Sequence, residues 1–250
     1  MKGKSTKLKT ILCLIQSLTL LLCSTATMAQ TISLNKLTGQ FDEKKDKDFI
    51  TLDSTELPVN KKGMYLQKEA AEQLVKAFKD FKKEYPNIPF IVVSATRNYT
   101  YQSGIWQRKW DALSAKFNDP QKIAEEILKY SSMPGTSRHH WGTDVDITSV
   151  SSEYFRNDPK GIILYKWLQA NLPKYGFCQA FNNGRSGGYQ LEEWHWSYQP
   201  ISSQYIAQYK AILERDPDAI MRILNFTGHD KIKLESLVKE YVLTVNADCY

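Results

Sequence analysis

Three of the four histidines in this 250-residue sequence fall in two short clusters that also hold carboxylates. The first runs Ser137-Arg138-His139-His140-Trp141-Gly142-Thr143-Asp144-Val145-Asp146, and the second is Glu192-Glu193-Trp194-His195. Imidazole and carboxylate are zinc ligands, and a catalytic zinc takes three protein ligands and keeps its fourth position open. His139, Asp146 and His195 would supply two imidazoles and one carboxylate. Seven residues of straight helix rise about 10.5 Å, too far for two ligands of one ion, so the chain must turn between His139 and Asp146, and Gly142 stands there. Glu192 precedes His195 by three residues, which on a flat strand would put the two side chains on opposite faces. The segment must bend if both serve one site. A carboxylate so placed can act as general base toward a water that a metal has made acidic. Each motif alone is weak. His140 is an alternative to His139, Glu192 and Glu193 also read as ordinary solvated carboxylates, and His229, after Gly228, reads as a surface residue. Zinc suits the donor set best, although other divalent ions fit it too.

The elements around these clusters can be read from periodicity. Ala71, Leu74, Val75, Phe78 and Phe81 fall at helical spacing between Leu66 and Tyr85, and Pro86 stops that helix. Phe90-Ile91-Val92-Val93 reads as a short buried strand. A helix over Tyr101–Phe117 follows, then another opened by Asp119-Pro120 and ending near Tyr130. Ser131 to Trp141 has turn chemistry. Val145 and Ile147 alternate with Asp146, a strand pattern. Pro159–Lys174 reads as helix with Gly176 as its stop, Asn182–Gly188 as loop, and Glu192–Tyr198 as a short aromatic segment ended by Pro200. Helices are expected over Ser203–Arg215, Pro217–Phe226 and Lys231–Leu243. Residues 30–62 are polar and loop-like. Scattered strands among many helices, without regular alternation, predict an α+β fold with a central antiparallel sheet flanked by helices.

The first residues carry a different signal. Lys2, Lys4, Lys7 and Lys9 precede an apolar run from Ile11 to Cys23, and Thr27-Met28-Ala29 offers small residues before a cut at Gln30. These are the three parts of an export leader, and the run is too short and interrupted for a stable membrane span. Residues 1–29 are therefore expected to leave, placing the mature chain in the periplasm or outside the cell. Removing the four leader lysines lowers the 33 basic residues to 29, against 27 acidic ones. Near-neutral charge gives no support to nucleic-acid binding. Cys13 and Cys23 leave with the leader. Cys178 and Cys249 remain, either bridged, as an oxidising compartment permits, or as two free thiols.

Taken together, Ser137-x-His139-x-x-Gly142-x-x-x-Asp146 and Glu192-x-Trp194-His195 resemble the VanY-type D-alanyl-D-alanine carboxypeptidase family, zinc peptidases related in fold to the VanX dipeptidases and the hedgehog signalling domain. Ser94-Ala95-Thr96-Arg97-Asn98-Tyr99-x-Tyr101-Gln102 is similar to a third segment of that family, and the three pieces occur in family order between Ser94 and Tyr198. The resemblance implies one zinc per chain on His139, Asp146 and His195, with Glu192 rather than Glu193 as base. It implies Arg97 on the substrate carbonyl and developing oxyanion, and Ser137 near the bound substrate. It also implies a metallopeptidase core over residues 90–200, between an N-terminal extension with the first helix (30–89) and a helical C-terminal extension (201–250); one globular domain is expected, because no Gly/Ser- or Pro-rich linker divides the sequence. Asp144 stands where the family usually has alanine and Glu193 where proline is common. Both are expected to add negative charge near the site without touching a ligand position. The implied activity is removal of a C-terminal D-alanine from peptidoglycan stem peptides. The alternatives are L,D-carboxypeptidase, D-Ala-D-Ala dipeptidase or stem-peptide endopeptidase activity. A non-catalytic zinc-binding wall module is the rival from another class, and Glu192 and Arg97 speak against it, because pure binding needs neither a base nor an oxyanion partner.

Overall fold

The computed structural model describes residues 31–250, so the expected leader over residues 1–29, with its cut near Ala29, lies outside the described residues. In chain order the elements are α1 (Leu34–Leu37), β1 (Phe49–Thr51), β2 (Tyr65–Gln67), α2 (Lys68–Glu84), β3 (Val92–Ser94), α3 (Tyr99–Ser114), α4 (Pro120–Leu128), β4 (Asp144–Ile147), α5 (Ser152–Asn157), α6 (Pro159–Asn171), β5 (Phe177–Cys178), β6 (His195–Tyr198), α7 (Gln199–Arg215), α8 (Asp218–Met221) and α9 (Leu234–Leu243). Short 3-10 turns join some of them, and the one over Arg138–Trp141 carries the first histidine cluster. The main sheet has the order β3-β4-β6-β5 with every neighbour antiparallel, and β1 pairs with β2 in a separate antiparallel ribbon. Helices flank the sheet in one α+β unit over Thr31–Tyr250.

Local chemistry accounts for the helix boundaries. Along α2 the residues Ala70, Ala71, Leu74, Ala77 and Phe81 bury at helical spacing, and the helix ends at Glu84, directly before Tyr85-Pro86, as the steric restriction before proline requires. Asp119 caps α4 by accepting from the Gln121 amide, with Pro120 in the first turn, where its missing N–H costs nothing. Asp158 does the same for α6, accepting from the amides of Lys160 and Gly161. The chain leaves α6 through a 3-10 turn that closes on Gly176, whose φ of 81° is left-handed.

Alternation sorts the sheet residues onto two faces. Val145, Ile147, Trp196 and Tyr198 bury in one apolar cluster with Leu74 and Phe81 of α2 and Leu164 and Leu168 of α6. Within it the Phe81 and Trp167 rings meet edge-on with centroids 5.1 Å apart. A second cluster joins α3, α4, α7 and α9 through Trp106, Ile127, Tyr209 and Val238. A Cys178–Cys249 disulfide ties β5 to the C-terminal turn, with Cα atoms 5.6 Å apart.

Some elements depart from the sequence reading. The loop-like stretch over residues 30–62 contains α1 and β1, and β1 finds its partner β2 just beyond it. A three-residue strand is too short to show alternation. The six-residue α5 was not anticipated either. The helix expected over Pro217–Phe226 shrinks to Asp218–Met221, because the chain beyond it turns to bury both Leu224 and Phe226. Tyr99 holds that turn, its hydroxyl donating to the Asn225 carbonyl at 3.0 Å and accepting from the Asn225 amide at 2.8 Å.

Candidate metal centre

The register of β4 against β6 does most of the assembly. Asp146 lies directly opposite His195, and Asp144 directly opposite Ser197. Opposed residues project to the same face, and residues two apart along a strand share it, so these four polar side chains occupy the face opposite the Val145–Ile147 core. His139 reaches the same place from the 3-10 turn. That turn ends at Gly142, whose φ is 68° and whose absent Cβ would stand 2.2 Å from the Phe49 ring. Arg97 donates its amide to the His139 carbonyl at 3.1 Å, and His139 Nδ1 pairs with the Ala95 carbonyl at 2.8 Å. Because a carbonyl only accepts, Nδ1 carries the proton and Nε2 is left with a free lone pair.

His139 Nε2 lies 3.4 Å from Asp146 Oδ1, and His195 Nδ1 lies 3.2 Å from the same oxygen. One ligand atom from each of the three residues falls within 4.8 Å of the others, and all three residues are buried. His139 Nε2 and Asp146 Oδ1 are buried without any hydrogen-bond partner. A buried unsatisfied polar atom ordinarily costs about 1–3 kcal/mol, and a cation held between them satisfies both. Two imidazole nitrogens and a carboxylate oxygen converge here, a donor set that fits a zinc ion with an open fourth position.

His140, the alternative ligand, is not available. Its Nδ1 donates to the Arg97 carbonyl and its Nε2 accepts from the Gly135 amide at 3.0 Å, and burial pushes its pKa down to about 3. His229 lies apart, its Nδ1 against the Phe226 carbonyl at 2.7 Å.

The chain turns at Glu193–Trp194 just before β6, supplying the bend that Glu192 requires. Glu192 Oε2 comes to 3.6 Å from His195 Nδ1, and burial raises its carboxyl pKa to about 8. Arg97 sends its guanidinium to 3.8 Å from Asp146 Oδ2 and donates to Ser94 Oγ at 3.3 Å. Glu192, Arg97 and the three ligand residues line one cavity of about 210 Å³, together with Lys109, Phe181, Tyr189 and Trp194. Ser137, expected near substrate, is instead wholly buried, its Oγ has no partner, and it is not part of the cavity wall. Glu193 is not a solvated carboxylate and not part of that wall. It is 1% exposed and accepts from Arg156 Nε at 2.6 Å and Ser152 Oγ at 2.7 Å.

Two features escaped the sequence reading. Lys109 of α3 reaches the cavity and donates to Ser131 Oγ, with no carboxylate in ion-pair range among the described residues. The signal was present, since Gln102, Ile105 and Lys109 share a helix face. The other is the role of Asp144, expected only to add negative charge near the site. It is fully buried, and its Oδ1 accepts from His195 Nε2 at 2.8 Å and from Arg138 Nε at 3.0 Å. Its Oδ2 accepts from the hydroxyls of Thr143 and Ser197. Burial opposes its charge, yet Arg138 and His195 together hold the carboxyl below the usual carboxylate range. In return, although burial opposes a charged His195, Asp144 and Asp146 raise that imidazole to about 9.

The family model described as "VanY: D-alanyl-D-alanine carboxypeptidase" matches residues 63–201. YodJ of Bacillus subtilis (strain 168) is 33% identical over 137 residues, covering 54% of this chain and 46% of that protein. The D-alanyl-D-alanine carboxypeptidase of Enterococcus faecalis (strain V583) is 28% identical over 115 residues, 45% of this chain and 41% of that one. The chain thus spans under half the length of these relatives. Among solved structures, VanYB in complex with D-alanine-D-alanine is similar with a TM-score of 0.46 and 22% identity, over 63% of this chain and 84% of that one. A VanY D,D-pentapeptidase mutant in complex with Zn(II) gives a TM-score of 0.46 and 22% identity over 61% and 84%.

Proposed function

This chain belongs to the VanY D-alanyl-D-alanine carboxypeptidase family, and from that premise we propose that it is an exported zinc carboxypeptidase that removes a C-terminal D-alanine from peptidoglycan stem peptides. The observation that carries the reading is the convergence of His139 Nε2, Asp146 Oδ1 and His195 Nδ1 within 4.8 Å, in a cavity that also holds Glu192 and Arg97. Zinc held by these three residues would supply a Lewis acid that brings a water pKa from 15.7 to about 7 and polarises a peptide carbonyl. Glu192 takes the proton released as the hydrolytic water attacks the carbonyl carbon. It then returns that proton to the amine as the C–N bond breaks. The ionised form of Glu192 that this step needs, disfavoured by burial in the metal-free protein, would be favoured by a cation held on the three ligand residues. Arg97 presents a fixed cation beside Asp146, where negative charge develops on the carbonyl oxygen, and so favours the transition state over the ground state. His139 presents its unprotonated Nε2 toward the metal position, since its Nδ1 proton is committed to the Ala95 carbonyl.

A carboxypeptidase must also hold a free carboxylate. Lys109, in the same cavity with a hydroxyl as its side-chain partner, supports an anionic substrate end. The test is incubation of the zinc-loaded protein with defined stem peptides and mass analysis of the products. The expected result is free D-alanine from a pentapeptide ending in D-Ala-D-Ala, with the tetrapeptide product reacting much more slowly. Preferred cleavage of the tetrapeptide would make it an L,D-carboxypeptidase. Release of intact D-Ala-D-Ala would make it an endopeptidase, and hydrolysis of the free dipeptide alone a dipeptidase. Full activity after chelation would overturn the reading altogether.

A further inference from the structure

Behind His195, on the Nε2 side of its ring, stands a buried polar cluster to which the proposed reaction assigns no step, although Arg138 at its edge also lines the cavity. Asp144 is the cluster's centre, and every lone-pair direction of the carboxylate is engaged. His195 Nε2 at 2.8 Å and Arg138 Nε at 3.0 Å meet Oδ1, while Thr143 Oγ1 and Ser197 Oγ at 3.0 Å meet Oδ2. Arg138 also donates to Ser197 Oγ, closing a ring, and its guanidinium lies 4.7 Å over the Trp141 ring. Asp144 and Ser197 have no exposed surface and Arg138 is 2% exposed.

Such a cluster is costly to build. Removing an ion pair from water carries a desolvation penalty of several kcal/mol per ion, and well-packed apolar residues would serve stability as well or better. Its geometry suggests what it does instead. A carboxylate beside a buried arginine accepts and does not donate, so the hydrogen between His195 and Asp144 belongs to Nε2. Protonation at Nε2 leaves the Nδ1 lone pair as the ring's only metal donor. Nδ1 is the atom that lies 3.2 Å from Asp146 Oδ1, across the register pair of β4 and β6. The same strand therefore supplies a ligand, Asp146, and two residues earlier on the same face the carboxylate that orients the neighbouring ligand.

We propose that Asp144 is a positioning residue for the metal centre: held by Arg138, Thr143 and Ser197, it fixes the ring and tautomer of His195 so that Nδ1 faces the metal, and it increases that nitrogen's donor strength. The inference rests on His195 being a zinc ligand and goes beyond that reading by assigning a role to the buried Arg138–Asp144 pair. Carboxylate or carbonyl partners of ligand histidines typically contribute 10–100-fold to metal affinity.

The experiment is a zinc-affinity measurement by chelator competition on the wild-type protein, Asp144→Asn, and the double variant Arg138→Met/Asp144→Asn. Thermal unfolding is followed in parallel. In Asp144→Asn the amide oxygen can still accept from His195 and Arg138, and its NH2 can donate to the Thr143 and Ser197 hydroxyls, so the shape is kept and the charge is lost. Zinc should bind about 10–100-fold more weakly. The double variant removes the stranded arginine charge as well. It should regain thermal stability without regaining zinc affinity. Wild-type zinc affinity in either folded variant would overturn the proposal, since a purely structural pair would move only the unfolding temperature. Nitrogen-15 NMR of the zinc-loaded wild-type protein provides a check independent of any variant: His195 must keep its proton at Nε2 and bind metal through Nδ1, and a proton at Nδ1 with metal on Nε2 would overturn the assignment. Failure of the wild type to bind zinc would instead remove the functional reading on which the inference rests.

Discussion

Glu192→Gln separates the cost of burying this carboxylate from its proposed use as a base. The side chain is 5% exposed, and burial raises its pKa from 4.5 to about 8 in the metal-free protein. The unfolded chain ionises this group near its ordinary value, while the folded chain keeps the proton until higher pH. A raised folded pKa therefore contributes stability that is fully present below 4.5 and is lost as pH rises to about 8. At 1.36 kcal/mol per pH unit, the wild type has lost about 3 kcal/mol of this by pH 7 and under about 1 kcal/mol by pH 5. Glutamine has no proton to exchange. The metal-free Glu192→Gln protein should thus be more stable than wild type by about 3 kcal/mol at pH 7, with the gap nearly closed at pH 5. The zinc-loaded variant should turn over roughly 10²–10⁴-fold more slowly. Urea unfolding after chelation at the two pH values, beside kcat on a stem pentapeptide, gives both numbers. A gap that does not change with pH would refute the burial argument, and wild-type turnover would refute the assignment of the base. Glu193→Gln is the control. It weakens the contact to Arg156, which is 56% exposed on its side chain. The expected loss is therefore only about 1 kcal/mol of stability, with little change in kcat. Exchange of the two glutamate phenotypes would show that the neighbour is the base.

His139→Ala should abolish stoichiometric zinc binding, whereas His140→Ala should retain zinc and lose stability, because it strands the Gly135 amide and the Arg97 carbonyl; metal analysis and thermal unfolding check the pair. Arg97→Ala should keep its zinc and lose on the order of 3 kcal/mol of transition-state stabilisation, read as a fall in kcat/KM at full metal occupancy. The Cys178–Cys249 bridge closes a sequence separation of 71 residues. Replacing both cysteines by serine should cost up to about 4 kcal/mol by the chain-entropy estimate, measured by urea unfolding. Alkylation of the non-reduced wild-type protein should add no mass.

The sequence alone determined whatever depends on neighbours along the chain. Helical spacing in Leu74 and Phe81, the Asp119-Pro120 start of α4 and the Gly176 stop are local steric and hydrogen-bonding facts. So is the need for a turn between His139 and Asp146 and for a bend between Glu192 and His195. Motif spacing suggested three ligands and a base, and the family resemblance added the arginine. Tertiary structure decided what depends on strand pairing, because a register between segments about fifty residues apart leaves no periodic trace in either. That register sets Asp146 against His195 and Asp144 against Ser197, which makes Asp144 a hydrogen-bond partner of His195. Three-residue strands such as β1 are too short to announce themselves, and their partners lie elsewhere in the chain. The choice between His139 and His140 was likewise open in the sequence. It was closed by which imidazole nitrogens met a carbonyl or an amide and which were left with a lone pair free, a matter of packing that composition and spacing do not encode.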